Sequence, residues 1–134
     1  KVKKLRMRIE QEICLDFKDV LIRPKRSTLK SRSEVNLERT FMTKHSKVNI
    51  TCIPIFAANM DTVGTFEMAE ALAKHKALTA VHKMYKIEEW EAWINKETTK
   101  QYLPYIAVTA GISVDDYKKV EKVLELSNDI RMIC

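Results

Sequence analysis

Four side chains in this sequence could act together on a charged small molecule: Asn59, Asp61, His82 and Lys83. A lysine ammonium can meet a phosphate or stabilise negative charge beside a nucleotide. A carboxylate such as Asp61 can serve as a base or as a binding group. Each residue also has a plainer reading. Asp61 suits a turn, Lys83 a solvated tip, and His82 a satisfied, half-buried histidine. Met60, taken alone, reads as core.

The elements that must position these residues are legible from hydrophobic spacing. Ile55-Phe56-Ala57-Ala58 is a short apolar run suited to a strand buried on both faces. Thr65 can cap a helix, and Phe66, Met68, Ala69, Ala71, Leu72 and Ala73 then recur at helical spacing to about His75. Leu78 to Val81 reads as a second buried strand. Ile87 to Ile94 reads as a helix with Trp90, Trp93 and Ile94 on one face. Tyr105 to Val108 is a third strand, Val114 to Leu126 a third helix with Val120, Val123 and Leu124 inward, and Ile130 to Cys134 the start of a fourth strand. Such alternation argues for parallel βαβ units, as a doubly wound sheet or a barrel. Asn59 and Asp61 then follow one strand, and His82 and Lys83 the next. In α/β barrels the C-terminal face of the strands carries ligand and chemistry, and neighbouring strands lie about 4.8 Å apart.

Upstream, Phe17 to Ile22 alternates apolar and polar residues before Pro24, consistent with a short strand. Residues 25 to 40 read as a surface loop, Val48 to Cys52 as another short strand, and residues 1 to 8 as a frayed tail with Met7 a plausible original start. A complete (β/α)8 barrel takes about 250 residues. If the alternation is that of a barrel, three βα units, a further strand and an N-terminal arm would make a partial TIM barrel, with residues 1–134 the N-terminal part of one domain.

Composition narrows the functions. The chain has 134 residues, 46% hydrophobic, enough for one small core. No apolar run approaches the roughly 20 residues a bilayer needs, and no apolar stretch follows the basic opening, so neither a membrane span nor a secretory signal is expected. Only two glycines occur, Gly64 and Gly111, which excludes GxGxxG and Walker loops. The three cysteines, Cys14, Cys52 and Cys134, are far apart and odd in number. They suggest neither a disulfide framework nor a zinc site, and a cytoplasmic setting is the simpler expectation. Cys134 reads as a buried strand residue. Residues 1 to 32 hold 11 Lys+Arg against 4 Asp+Glu, a surplus of seven within a whole-chain charge of +6. That arm could attract a phosphate-bearing ligand, a membrane surface or nucleic acid, or be a solvated basic face. Phe17 is its only aromatic, so nucleic acid is the weakest of these options.

Three segments together resemble the reductase branch of the IMP dehydrogenase/GMP reductase family. They are FKDVLIRPKRSTLKSRSEV from Phe17 to Val35, ANMDTVGTFEMA from Ala58 to Ala69, and TAVHKMY from Thr79 to Tyr85. The first is the most specific to the reductase branch. Lys83 also reaches Tyr105 through a single helix, where many dehydrogenases insert a regulatory pair of domains.

The resemblance implies a TIM-barrel enzyme of purine-nucleotide salvage, which converts GMP to IMP and ammonia with hydride from NADPH. A cysteine attacks the purine C2, ammonia leaves, and hydride transfer releases IMP. The resemblance also implies a homotetramer and a bound potassium ion. By motif, Ser31 and Arg32 match positions contacting NADPH held in a neighbouring subunit, where guanidinium can pair with phosphate. Lys83 matches a lysine beside cofactor and purine, and Met60 a methionine near the nucleotide. Asn59 and Asp61 take supporting roles. The catalytic cysteine, the potassium loop and the principal GMP-binding segments are expected beyond residue 134, so no catalytic or metal-binding residue is assigned within this chain. Two departures bear on cofactor binding. Met84 stands where a histidine is common, and Thr109-Ala110-Gly111 replaces a serine-rich turn. Two other readings fit the same residues: an IMP dehydrogenase-type portion, distinguished by NAD reduction with IMP, and a non-catalytic nucleotide-binding or assembly module.

Overall fold

The computed structural model describes residues 11–44 and 46–134. The expected frayed tail at residues 1 to 8 lies outside them. The chain divides into two compact units, Lys1–Val35 and Asn36–Cys134.

In the first unit, the expected strand over Phe17 to Ile22 is replaced by a 3-10 turn over Phe17–Asp19. Local polar chemistry explains the difference. Asp16 accepts from the Phe17 amide at 2.7 Å, and Asp19 accepts from the Asp16 amide at 3.0 Å. This reciprocal cap satisfies backbone donors that a strand would need a neighbour to satisfy. A second 3-10 turn spans Arg32–Glu34, with Ser31 as its cap.

The second unit begins with an antiparallel pair, β1 (Arg39–Met42) and β2 (Asn49–Cys52), in which Thr40 lies opposite Thr51. Strand β2 was expected. Strand β1 begins inside the stretch read as loop, because Arg39 and Thr40 find partners only through tertiary pairing.

The rest is a four-stranded parallel sheet in the order β3-β4-β5-β6, comprising β3 (Phe56–Ala57), β4 (Leu78–Val81), β5 (Ile106–Val108) and β6 (Met132–Ile133). Helices α1 (Phe66–Ala73), α2 (Ile87–Ile94) and α3 (Val114–Leu126) alternate with these strands. The alternation follows the hydrophobic spacing, and most buried positions follow it too: Phe66, Ala69 and Ala73 on α1, Trp90, Trp93 and Ile94 on α2, Val120 and Val123 on α3, whereas Leu124 is half-buried and Ala71 exposed. All of the buried ones but Ala73 close over Val81, Ile106 and Val108 in one core. Strand β4 is buried along its whole length.

Three expectations change. β3 is an edge strand and not one buried on both faces; Phe56 is 52% exposed. Cys134 is exposed, although its backbone joins the ladder through Cys134 N–H to Val108 O at 2.9 Å. Between α2 and β5 lies a nine-residue 3-10 helix, Glu97–Tyr105, that hydrophobic spacing does not announce. Pro104 and two threonines obscure it, yet Thr99 and Leu103 are buried from its inner side.

Lys76, at φ 57°, stops α1 in the left-handed region. Its carbonyl then accepts from the Ile53 amide at 2.8 Å, and β4 begins two residues later.

Trp90 is 1% exposed at the centre of this core, so Trp90→Ala should cost about 3–5 kcal/mol in chemical denaturation. Burial pushes the Cys52 thiol above its ordinary value of 9.0. Alkylation of the folded chain at pH 8 should therefore modify Cys14 and Cys134 well before Cys52. Equal rates would contradict the burial of β2's last residue.

Candidate functional site

Parallel pairing brings the ends of β3, β4 and β5 to one edge of the sheet. Three loops leave from that edge, residues 58–65, 82–86 and 109–113. They carry most of the residues singled out by chemistry.

The first loop is tied down by its own backbone. Val63 and Gly64 amides both donate to Met60 O, at 3.0 and 2.8 Å, and Gly64 O accepts from the His82 amide at 2.9 Å. A Cβ at Gly64 would fall 2.1 Å from Ala80 O and 2.8 Å from Ala58 O. Those are backbone atoms that cannot yield, so only glycine lets this loop lie over β4. Asn59, Met60 and Asp61 are all exposed at its outer turn. Among the described residues, no hydrogen bond or ion pair joins Asn59 or Asp61 to Lys83.

The second loop has two unlike residues side by side. His82 is 8% exposed. Its ring stacks on Tyr85 at 4.3 Å, and its Nδ1 accepts from the Met84 amide at 3.2 Å. It is the satisfied, inward histidine of the plainer reading. Tyr85 continues the stack onto Phe66 at 3.9 Å, and Phe66 onto Trp93 at 4.4 Å. The Tyr85 hydroxyl also accepts from the Phe66 amide, a helix-start donor with no partner inside α1. The loop is thereby pinned to α1 and α2 by stacked rings.

Lys83 points the other way. Its side chain is 49% exposed, and its ammonium lies 3.6 Å from Asp116 Oδ1. Asp116 belongs to the first turn of α3. Its Oδ2 accepts from the Ser113 hydroxyl at 2.6 Å and from the Ser113 amide at 3.3 Å, while Ser113 Oγ accepts from the Asp116 amide at 3.1 Å. The Ser113 hydroxyl, with help from the Lys83 ammonium, holds the Asp116 carboxyl below its ordinary value of 3.8. Lys119, one turn along α3, donates to the Lys83 carbonyl at 2.5 Å.

In the third loop, Thr109 is buried and its hydroxyl, like those of Thr79 and Thr99, has no hydrogen-bond partner among the described residues.

Sequence reasoning missed Asp116, Ser113 and Lys119 as neighbours of Lys83. The Ser113-x-x-Asp116 cap was readable as a helix start, but its meeting with Lys83 needs the β4–β5 pairing. Ser31 and Arg32 lie in the other unit. There Ser31 Oγ caps the Ser33 amide at 3.3 Å, and both residues line a shallow hollow with Ser27, Leu29, Lys30 and Val35. Among the described residues, no cluster of three or more His, Cys, Asp or Glu could hold a metal ion. Nor is any helix there long and apolar enough to cross a membrane.

Comparison with known proteins follows the same lines. Residues 14–133 match the IMP dehydrogenase / GMP reductase domain. The chain is 54% identical over 128 residues to a GMP reductase of Escherichia coli O81 (strain ED1a), covering 96% of this chain and 37% of that protein. It is equally similar to a GMP reductase of Shigella boydii serotype 18 (strain CDC 3083-94 / BS512), over the same shares. The chain thus spans a little over a third of the length of these relatives.

The lowered Asp116 carboxyl fixes a sign. A group depressed on folding contributes stability above its unfolded value and loses it as pH falls through the folded one. Denaturation midpoints should therefore fall as pH drops below the ordinary carboxylate value of 3.8, and Asp116→Asn should flatten part of that acid limb. An unchanged limb in the variant would show that the Ser113–Asp116 cap is not formed.

Proposed function

Because this chain belongs to the IMP dehydrogenase / GMP reductase family, we propose that it forms the amino-terminal part of an NADPH-dependent enzyme that reductively deaminates GMP to IMP and ammonia. On this reading, the four parallel strands are the first part of a (β/α)8 barrel, and residues 1–134 belong to one barrel domain.

The observation that carries the proposal is the placement of Lys83. It presents a half-exposed ammonium just past the C-terminal end of a buried parallel strand, beside the end of the next strand. That is the face on which barrels hold ligands. NADPH suits such a place. Lys83 offers it a half-exposed cation. When bound, the cofactor supplies the hydride.

The residues of this chain bind and orient. Lys83 sits beside the cofactor and the reacting purine, where a fixed positive charge favours negative charge that develops during reaction. Met60, 58% exposed on the first loop, lies against the nucleotide, with Asn59 and Asp61 supporting that loop. Ser31 and Arg32 meet the phosphates of a cofactor bound in a neighbouring subunit, which makes the assembly a homo-oligomer, a tetramer by resemblance. None of Cys14, Cys52 and Cys134 is assigned as the nucleophile. That role, and the potassium site, fall to the part of the barrel this chain does not supply. Cytoplasmic purine salvage is the setting this reading implies.

A chimera tests the proposal: this chain completed by the carboxy-terminal part of the Escherichia coli relative. It should oxidise NADPH when GMP is added and not when IMP is added. Lys83→Met should lower that rate by roughly 10²-fold, the usual cost of removing one preorganised charge from a site. The 134-residue chain alone should not oxidise NADPH. NAD reduction driven by IMP would move the assignment to the dehydrogenase branch.

A further inference from the structure

Lys83 has three neighbours that the proposed reaction does not call for, and all of them come from α3 or the turn before it. Asp116 Oδ1 lies 3.6 Å from the ammonium. Lys119 Nζ donates to the Lys83 carbonyl at 2.5 Å, fixing the backbone from which the side chain springs. Gly111 leaves the space in which the pair meets, since a Cβ there would fall 2.3 Å from Asp116 Oδ2 and 2.9 Å from Lys83 Nζ. The backbone of Gly111 does not adopt a positive φ. Its value at this position is therefore room and not conformational freedom.

Asp116 is itself held. Its second oxygen is occupied by the Ser113 hydroxyl and amide, which leaves Oδ1 to face the lysine. A lysine side chain has four rotatable bonds and a large entropy to lose when it is fixed. A free Lys83 would therefore spend most of its time away from any one ligand position. A carboxylate that is itself anchored narrows that range without burying the charge.

We propose that Asp116 is a positioning residue for Lys83, with Gly111 and Lys119 completing a clamp that keeps the ammonium at the end of β4 ready for an anionic ligand. This inference rests on the reading of Lys83 as a cofactor contact. The clamp can be examined without any ligand, which keeps the two claims separable.

The experiment is site-resolved acetylation of the intact 134-residue chain with sulfosuccinimidyl acetate, followed by mass spectrometry. Lys118 and Lys122, on the same helix, serve as internal references. Pairing withholds the amine from the reagent, so Asp116→Asn should speed acetylation of Lys83 by about two- to fivefold, the range expected for a half-exposed ion pair. Asn keeps the size of Asp and can still hydrogen-bond Ser113. Gly111→Ala should give a similar rise, because the new methyl displaces only side-chain ends that can move. Asp116→Glu, which restores the charge, should return the rate toward that of the original chain.

An unchanged Lys83 rate in Asp116→Asn would overturn the clamp. So would a rise shared equally by Lys118 and Lys122, which would mean that α3 had frayed. Repeating the reaction with NADPH on the completed chimera addresses the cofactor reading. Protection of Lys83 by NADPH there supports that reading, and a need for more NADPH in the Asp116→Asn chimera supports positioning. No protection in the chimera would sink the cofactor reading, whatever the ligand-free rates show about the clamp.

Discussion

Parallel pairing between β4 and its two neighbours sets where Asn59, Met60, Asp61, His82 and Lys83 stand. The Leu78 amide bonds Ile55 O, the His82 amide bonds Gly64 O, and the Thr109 amide bonds Val81 O. The first starts β4 beside β3, the second draws the loop after β3 over the end of β4, and the third sets β5 alongside. A slip of one residue in any of these would turn each side chain to the opposite face. His82 would then point out and Lys83 in, and a lone ammonium in the interior is far costlier than a paired one at the rim. The register and the chemistry are thus one constraint. Gly64 enforces it sterically, because no other residue could approach the Ala80 carbonyl so closely.

On the two sides of the β4–α2 loop, different forces act. Inward, His82, Tyr85, Phe66 and Trp93 form a run of stacked rings that ties the loop to two helices. Offset stacking contributes on the order of 1 kcal/mol per pair beyond burial, so this side is stiff. Outward, Lys83 is steadied by a partly exposed carboxylate, an interaction weak enough for an arriving anion to compete with. A rigid base with a lightly held cation at its tip is what reversible binding of a phosphorylated cofactor asks for.

The strongest periodicities were legible in the sequence. The helices starting at Phe66, Ile87 and Val114 and the strand at Leu78 stand where apolar spacing puts them, and the third strand starts one residue later than expected, at Ile106. They are buried by nearest neighbours in the chain, so local pattern and tertiary outcome agree. Disagreement arises where pairing or local polar groups decide. Asp16 and Asp19 convert an alternating stretch into a capped 3-10 turn. Arg39 and Thr40 join a strand only because Cys52 and Thr51 lie opposite. Cys134 ends an apolar run yet is exposed, since strand β6 has a neighbour on one side only among the described residues. Of the candidate site, the rim position of Lys83 could be read from strand endings. Its partner Asp116 could not, because that meeting depends on two strands being adjacent and parallel.

Amide hydrogen exchange on the intact chain tests the central claim most directly. The amides of Leu78, His82 and Thr109 should exchange together and slowly, at rates close to those of global unfolding, while the amide of the exposed Ile112 exchanges freely. Exchange of His82 and Thr109 as fast as Ile112 would mean that the ladder does not hold those loops in place, and the placement of Lys83 would fall with it.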